Sequence, residues 1–332
     1  MYQYKFLKRL FILIASFSLL SCGDHNQPGV AVSAVEHTNS GAFAAALSID
    51  GRYSLVSSVA EGVALWDNHS NTLKYQWLQS EQQQNLVHSV AIAYDNSVAV
   101  TASDHEFAVW NMQTGHNLGY YQVSKASIRD IAVSNGGRYV LFGQSDNTVV
   151  FVDLETGKRL EFLGHSEKIN SIALSPNGHF ALSGGNDYSA YFWDTRSGQV
   201  IHRFNHPSRV TKVALDDSGR YAFTADSMKK ASIWQLTSGE LVSQLQYIAR
   251  QKIFSTVRFN ATGTLLATGT PNRLLSVWSV KNGERLASWQ VTPREGSRPK
   301  SAVIFAVAFQ DNDATLLAES SNGILERFER EK

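Results

Sequence analysis

Ten histidines, one cysteine and two close pairs of carboxylates are the side chains of this 332-residue sequence best suited to chemistry. The histidines are scattered and share no short spacing, so they frame neither a metal set nor a base beside a nucleophile. Asp216-Asp217 and Asp311/Asp313 fall in turn-like stretches, where neighbouring acids are ordinarily solvated. The phosphate-cradling glycine loop, His-Glu-x-x-His and Gly-x-Ser-x-Gly patterns are missing from the sequence. Cys22 stands alone, so it has no internal disulfide partner and no cysteine cluster to join. Lys and Arg total 30 against 29 Asp and Glu, a net charge of +1, which implies no general attraction to nucleic acid. The expectation is a chain without catalytic residues, metal or cofactor.

What positions these residues is a repeated unit, clearest in Leu163 to Asp194. Three short apolar runs, Ile169–Ser175, Phe180–Ser183 and Ala190–Trp193, are separated by Ser-Pro-Asn-Gly and Gly-Gly-Asn-Asp. Runs this short between such turns read as an antiparallel meander. The unit recurs at Trp66-Asp67, Trp110-Asn111, Val152-Asp153, Trp193-Asp194, Trp234-Gln235 and Trp278-Ser279, with intervals of 44, 42, 41, 41 and 44 residues. A weaker copy ends at Phe328. A period of 40–45 residues closing on Trp-Asp is that of a four-stranded propeller blade.

The chain resembles the WD-repeat family over roughly residues 30 to 329. The resemblance implies an all-β fold, a seven-bladed β-propeller of four-stranded antiparallel blades. It also implies a buried hydrogen-bonded tetrad in each complete blade: here His165, Ser183, Asp187 and Trp193 of blade four. Other blades carry an eroded pattern. Asp104 and Asp146 keep the turn carboxylate, Asn272 and Asn322 replace it, and blades five and one have Met228 and Ala60 at that place. His37 and His206 sit where His165 does. The tetrad is expected to be complete once.

The first 21 residues read as a signal peptide. Lys5, Lys8 and Arg9 precede an apolar run, Leu10–Leu20, that is shorter than the ~20 residues needed to span a bilayer. Leu19-Leu20-Ser21-Cys22 resembles a bacterial lipobox, which implies cleavage after Ser21 and acylation of Cys22. Buried acyl methylenes contribute about 0.8 kcal/mol each, enough with two or three chains for lasting anchorage. Gly23 follows the cysteine, and the resemblance then favours the outer membrane, facing the periplasm. Residues 22–29 form a short tether and 30–332 the propeller. Val30–Val35 fills the slot of an outermost strand with no blade before it, while the last copy, Ser301–Phe328, supplies only three strands. We therefore expect Val30–Val35 to pair antiparallel with Leu325–Arg330, closing the ring by strand exchange between the termini.

Two sets of residues then become candidates for binding. The hairpin turns Asp50-Gly51 to Thr262-Gly263 and Thr114-Gly115 to Asn282-Gly283 share the bottom face. Links of variable length share the top, including the expanded Ser80–Val87, Tyr247–Phe254 and Thr292–Val303. At the start of the inner strands the aligned residues are Phe43, His88, Arg129, Asn170, Thr211, Ser255 and Phe305, a rim suited to capturing a peptide. Arg209, Lys212, Lys229, Lys230, Arg250, Lys252, Arg273, Arg294, Arg298 and Lys300 form a basic sector on blades five and six. The sequence thus points to a membrane-anchored, monomeric scaffold for a protein or peptide partner, held to the bilayer through Cys22 and binding no nucleic acid. The competing readings are an envelope enzyme or small-ligand sensor using the central channel, and a structural factor in outer-membrane assembly.

Overall fold

The structure is a computed structural model that describes residues 28–78, 86–247, 253–296, 298 and 300–330. The signal-like segment and Cys22 lie outside the described residues, as do Arg250 and Lys252. Strands form wherever the sequence sets a short apolar run between turns, and they group into seven four-stranded antiparallel sheets. In six of them the strands follow chain order from the axis outwards, as in Ile169–Leu174, Phe180–Gly185, Ser189–Asp194 and Val200–Asn205 of blade four. The seventh has the order Ser33–Glu36, Ile324–Glu329, Thr315–Ser320, Ile304–Gln310.

This seventh sheet is the expected closure in the expected register, with a shorter paired strand. Ser33 faces Arg327, Val35 faces Leu325 and Glu36 faces Ile324. The paired strand therefore begins at Ser33 rather than Val30. The preceding residues do something else: Gly29 donates its N–H to Ser288 O at 2.9 Å and accepts from Gln290 N at 3.0 Å, bridging to the outer strand of blade six. Glycine is required there, because a Cβ would sit 2.6 Å from Trp289 Cδ1. One short segment thus ties blade six to blade seven before completing the latter.

The apolar core lies between blades. Each of seven buried clusters draws on two neighbouring sheets, for example Phe107, Val109, Ile128 and Phe142 between blades two and three. The junction of blades seven and one is the smallest, with only Leu47, Ala306, Ala308, Leu317 and Leu325. Polar groups take over there. His37 Nδ1 lies 2.8 Å from Glu319 Oε2 with both side chains fully buried, and the His37 ring stacks on Trp66 at 4.8 Å.

Hairpin turns interlock around the bottom face. Asn96 Nδ2 donates to Asp50 Oδ2, Gly136 N to Asp95 Oδ2, Asn135 N to Pro176 O and Asn260 Nδ2 to Asp313 Oδ2. Gly178 shows why these turns need glycine: its φ is 74°, and a Cβ would meet the Tyr139 ring at 2.3 Å. If the Gly29 crossing helps hold the ring shut, Gly29→Val should destabilise the fold by about 1–3 kcal/mol, the usual cost of overpacking. Urea unfolding read by tryptophan fluorescence measures it, and an unchanged midpoint would show the crossing to be dispensable.

Candidate functional site

The residues that fix the top loops are the buried polar chains between strands. In blade four, Trp193 Nε1 donates to Ser183 Oγ at 3.4 Å, Ser183 Oγ lies 2.9 Å from His165 Nε2, and His165 Nδ1 lies 2.9 Å from Asp187 Oδ2. Burial alone would raise the Asp187 carboxyl, but His165 and the N–H groups of Ser166 and Ser189 outweigh it and hold it below the usual range. The chain pins a top-face turn to the loop that enters the blade.

Blade five corrects the reading of Met228. The carboxylate there comes from Asp226, two residues earlier, and completes a second tetrad. His206 Nδ1 lies 3.4 Å from Asp226 Oδ2, His206 Nε2 lies 2.8 Å from Thr224 Oγ1, and Trp234 Nε1 donates to the same hydroxyl at 2.8 Å. Asp226 Oδ1 also accepts the N–H groups of Met228, Lys229 and Lys230, folding the turn around itself. Met228 is exposed. Among the described residues, blades two and six show the indole-to-hydroxyl half, Trp110 to Thr101 and Trp278 to Thr268. In blade one, Trp66 Nε1 and His37 Nε2 are buried without a hydrogen-bond partner.

A single cavity of about 320 Å³ runs along the axis. Of the seven rim residues, Phe43, His88 and Phe305 line it. Phe43 is 57% exposed, and His88 Nε2 pairs with Asp104 Oδ1 at 3.3 Å. Arg129, Asn170, Thr211 and Ser255 do not line it. Asn170 Nδ2 donates to Val210 O at 2.7 Å and Ser255 Oγ to Ile304 O at 2.6 Å, each stitching a blade to the next. Thr211 Oγ1 donates to Ala225 O at 3.3 Å, and Arg129 is exposed. For Arg129, Asn170 and Thr211 the physical reason is a bulge, whereas Phe305 lines the cavity despite one and Ser255 has none. The inner strands of blades three, four, five and seven shift register across Arg129, Asn170, Thr211 and Phe305, which re-aims the first three side chains.

Deeper in the cavity are residues that the rim alignment passed over. Asp130 and Lys212 follow the bulges, and Tyr94, Asp217 and Arg258 lie further down. Arg258 Nη2 reaches across blade seven to Leu47 O at 2.8 Å. Burial lowers the Arg258 guanidinium and raises the Tyr94 phenol, the latter helped by Asp217 and Asp216 and opposed by Arg258. The Asp217 carboxyl is raised by burial and by the charge of Asp216. A half-buried cation three residues below the rim leaves no periodic signal, so only an alignment of the inner strands, level by level, reveals Arg258.

The basic sector is thinner than the sequence suggests. Lys212 lies in the axial cavity rather than on a loop. Lys230 Nζ donates to Asn205 O at 2.9 Å and sits over the Trp234 ring, and Arg273 Nε donates to Val291 O at 2.8 Å. Arg209, Lys229, Arg294, Arg298 and Lys300 are exposed. Among the described residues no group of three His, Cys, Asp or Glu side chains is placed to hold a metal ion.

Residues 157–194 match the family model for the WD domain, G-beta repeat. The match spans the outer strand of blade three and the first three strands of blade four, and with the seven four-stranded blades it supports a WD-repeat propeller. Propellers of this kind commonly serve as protein-interaction scaffolds and are generally not catalytic. No curated protein matches the chain.

Two outcomes follow from the blade-five tetrad. Thr224→Val strands His206 Nε2 and Trp234 Nε1 and should cost about 1–3 kcal/mol, whereas Met228→Ala should change stability little. Chemical denaturation distinguishes them, and equal effects would mean that Met228, not Asp226, is the turn anchor. Burial holds the His206 imidazole below its ordinary value, outweighing Asp226. The unfolded chain therefore binds more protons near pH 6.5, so stability must fall as pH drops from about 7 through the folded value. The thermal midpoint of the wild type should decline across pH 7 to 5 more steeply than that of His206→Asn; identical slopes would remove His206 as the cause.

Proposed function

We propose that this chain is a lipid-anchored, non-catalytic interaction scaffold of the bacterial envelope, which holds a peptide segment or an acidic face of a partner over its loop face. The observation that carries the reading is the axial cavity, reached between the aromatic Phe43 and Phe305 and the imidazole of His88. Rigid aromatic groups beside polar ones, around a concavity on a stiff scaffold, suit peptide capture. The opposite face has its hairpin turns tied to one another and offers less conformational freedom. Exposed Arg209, Lys229, Arg298 and Lys300 steer acidic partners towards the same face, within a screening length of about 8–10 Å.

The lone Cys22 after Leu19-Leu20-Ser21 supports the anchor, and Gly23 supports the outer membrane, on the periplasmic side. The single propeller closes upon itself, which suits a monomer. Cavity cations also keep a small-ligand role in view.

A photo-reactive residue placed at Phe43 or Phe305 in intact cells should yield a discrete conjugate that the same residue at Asn177, on the hairpin face, does not. Conjugates of the same identity from Asn177, or none from the mouth, would contradict the reading. Glu substituted together at Arg209, Lys229, Arg298 and Lys300 should reduce the conjugate several-fold at low salt, and unaltered yield would remove the electrostatic part. Labelled fatty acid should enter the wild type and not Cys22→Ser.

A further inference from the structure

The inner strands, aligned by register, carry alanine at one level in six blades: Ala46, Ala91, Ala132, Ala173, Ala214 and Ala308. The seventh residue of that level is Arg258, opposite Ala267. Five of these small side chains, all but Ala308, line the cavity and leave the space into which one long cation extends. Its guanidinium spends one N–H on Leu47 O, and its other donors have no partner among the described residues. Above it, half-buried Lys212 lines the same cavity and its ammonium has no hydrogen-bond or ion-pair partner there. The Tyr94 hydroxyl adds a third donor without a partner.

The acids facing these cations are Asp130, Asp217 and, near Arg258, Asp50, which accepts from Ser48 Oγ, Arg52 N and Asn96 Nδ2. Asp130 Oδ2 accepts Ile172 N at 2.9 Å and its Oδ1 accepts Ile131 N at 3.1 Å. Burial and the charge of Asp216 raise the Asp217 carboxyl, whose Oδ1 is buried without a hydrogen-bond partner, and His88 at the mouth already has Asp104. Among the described residues Lys212 has no acid in contact and Arg258 has only the charges of Asp50 and Asp217 near it, with neither hydrogen-bonded to it, so an anion entering the cavity gains from both cations. From Ser255 at the rim to Arg258 is three residues of strand, or about 10 Å, the length of about three extended peptide residues.

We propose that the axial cavity receives a carboxylate on a slim apolar or peptide body, foremost the free C-terminus of an extended peptide, with Lys212 and Arg258 holding the carboxylate and the alanine level admitting only small side chains beside it. This rests on the reading that the loop face captures peptides and names what that peptide presents. The aromatic mouth then contacts residues upstream of the terminus.

Fluorescence anisotropy of the full chain in detergent micelles tests it with a labelled hexapeptide, Gly-Ser-Gly-Ala-Val-Ala, as free acid and as C-terminal amide. The acid should bind saturably and the amide at least tenfold more weakly. Lys212→Gln and Arg258→Gln should each weaken the acid at least tenfold and leave the amide unchanged. Circular dichroism confirms folding, and Lys212→Gln alone suffices if Arg258→Gln does not fold. Equal binding of acid and amide, or no binding of either at millimolar peptide, overturns the proposal. Butyrate displacing the acid below the peptide's own Kd would assign the site to small free acids and overturn the peptide part. Cross-linking from Phe43 and Phe305 to a partner whose C-terminus is blocked would leave the scaffold reading intact while this inference falls.

Discussion

A blade left with three strands would present a row of unpaired backbone N–H and C=O groups at the rim of the wheel, and avoiding that edge organises this chain. Ser33–Glu36 supplies the missing strand against Ile324–Glu329, so the two ends of the sequence are held in one sheet. Gly29 is the companion device, tying the incoming segment to blade six before the strand begins. The junction that this exchange must close, between blades seven and one, has the smallest apolar cluster. Its integrity rests more on directional contacts, the His37–Glu319 pair and the stacking of His37 on Trp66, than on buried area. Such contacts specify one arrangement but lose more when misaligned, because each partner left alone stays desolvated.

Around the rest of the wheel, reinforcement is uneven. Blades four and five have full tetrads, which fix their top turns through four side chains each, while among the described residues blades two and six show the indole hydrogen bond. The stiff pair lies beside Lys212 on one wall of the cavity. Placement of a charged side chain to within a fraction of an ångström needs such support, since a side chain on a loose wall relaxes towards solvent. The small residues at the alanine level serve the opposite purpose: they leave the axial cavity open around Arg258.

Much of this was legible before any coordinates. Seven repeats, five of them closing on Trp, implied the blade count, and a copy with three strands at the end with an orphan strand at the start implied the closure. The blade-four tetrad could be read because His165, Ser183, Asp187 and Trp193 follow the full pattern. Blade five could not, because Asp226 moved into the end of its strand and left Met228 in the turn. The cavity was the least legible part. Bulges at Arg129, Asn170, Thr211 and Phe305 carry no sequence mark, so alternation beyond them slips by one residue. That slip hid Asp130 and left Lys212 grouped with the basic sector of blades five and six. Arg258 escaped because its reach to Leu47 on the far side of blade seven is a property of the closed wheel, not of its own repeat.

The most direct test of this account is a disulfide across the closing pair. Ser33 and Arg327 face one another in the antiparallel register, within the separation that a disulfide tolerates, and in a Cys22→Ser chain no other thiol competes. Ser33→Cys with Arg327→Cys should oxidise readily in the folded protein and raise its denaturation midpoint, because the bond fastens the two ends of the ring. Failure to form the bond under native conditions, or formation without any gain in stability, would contradict closure by the terminal strand.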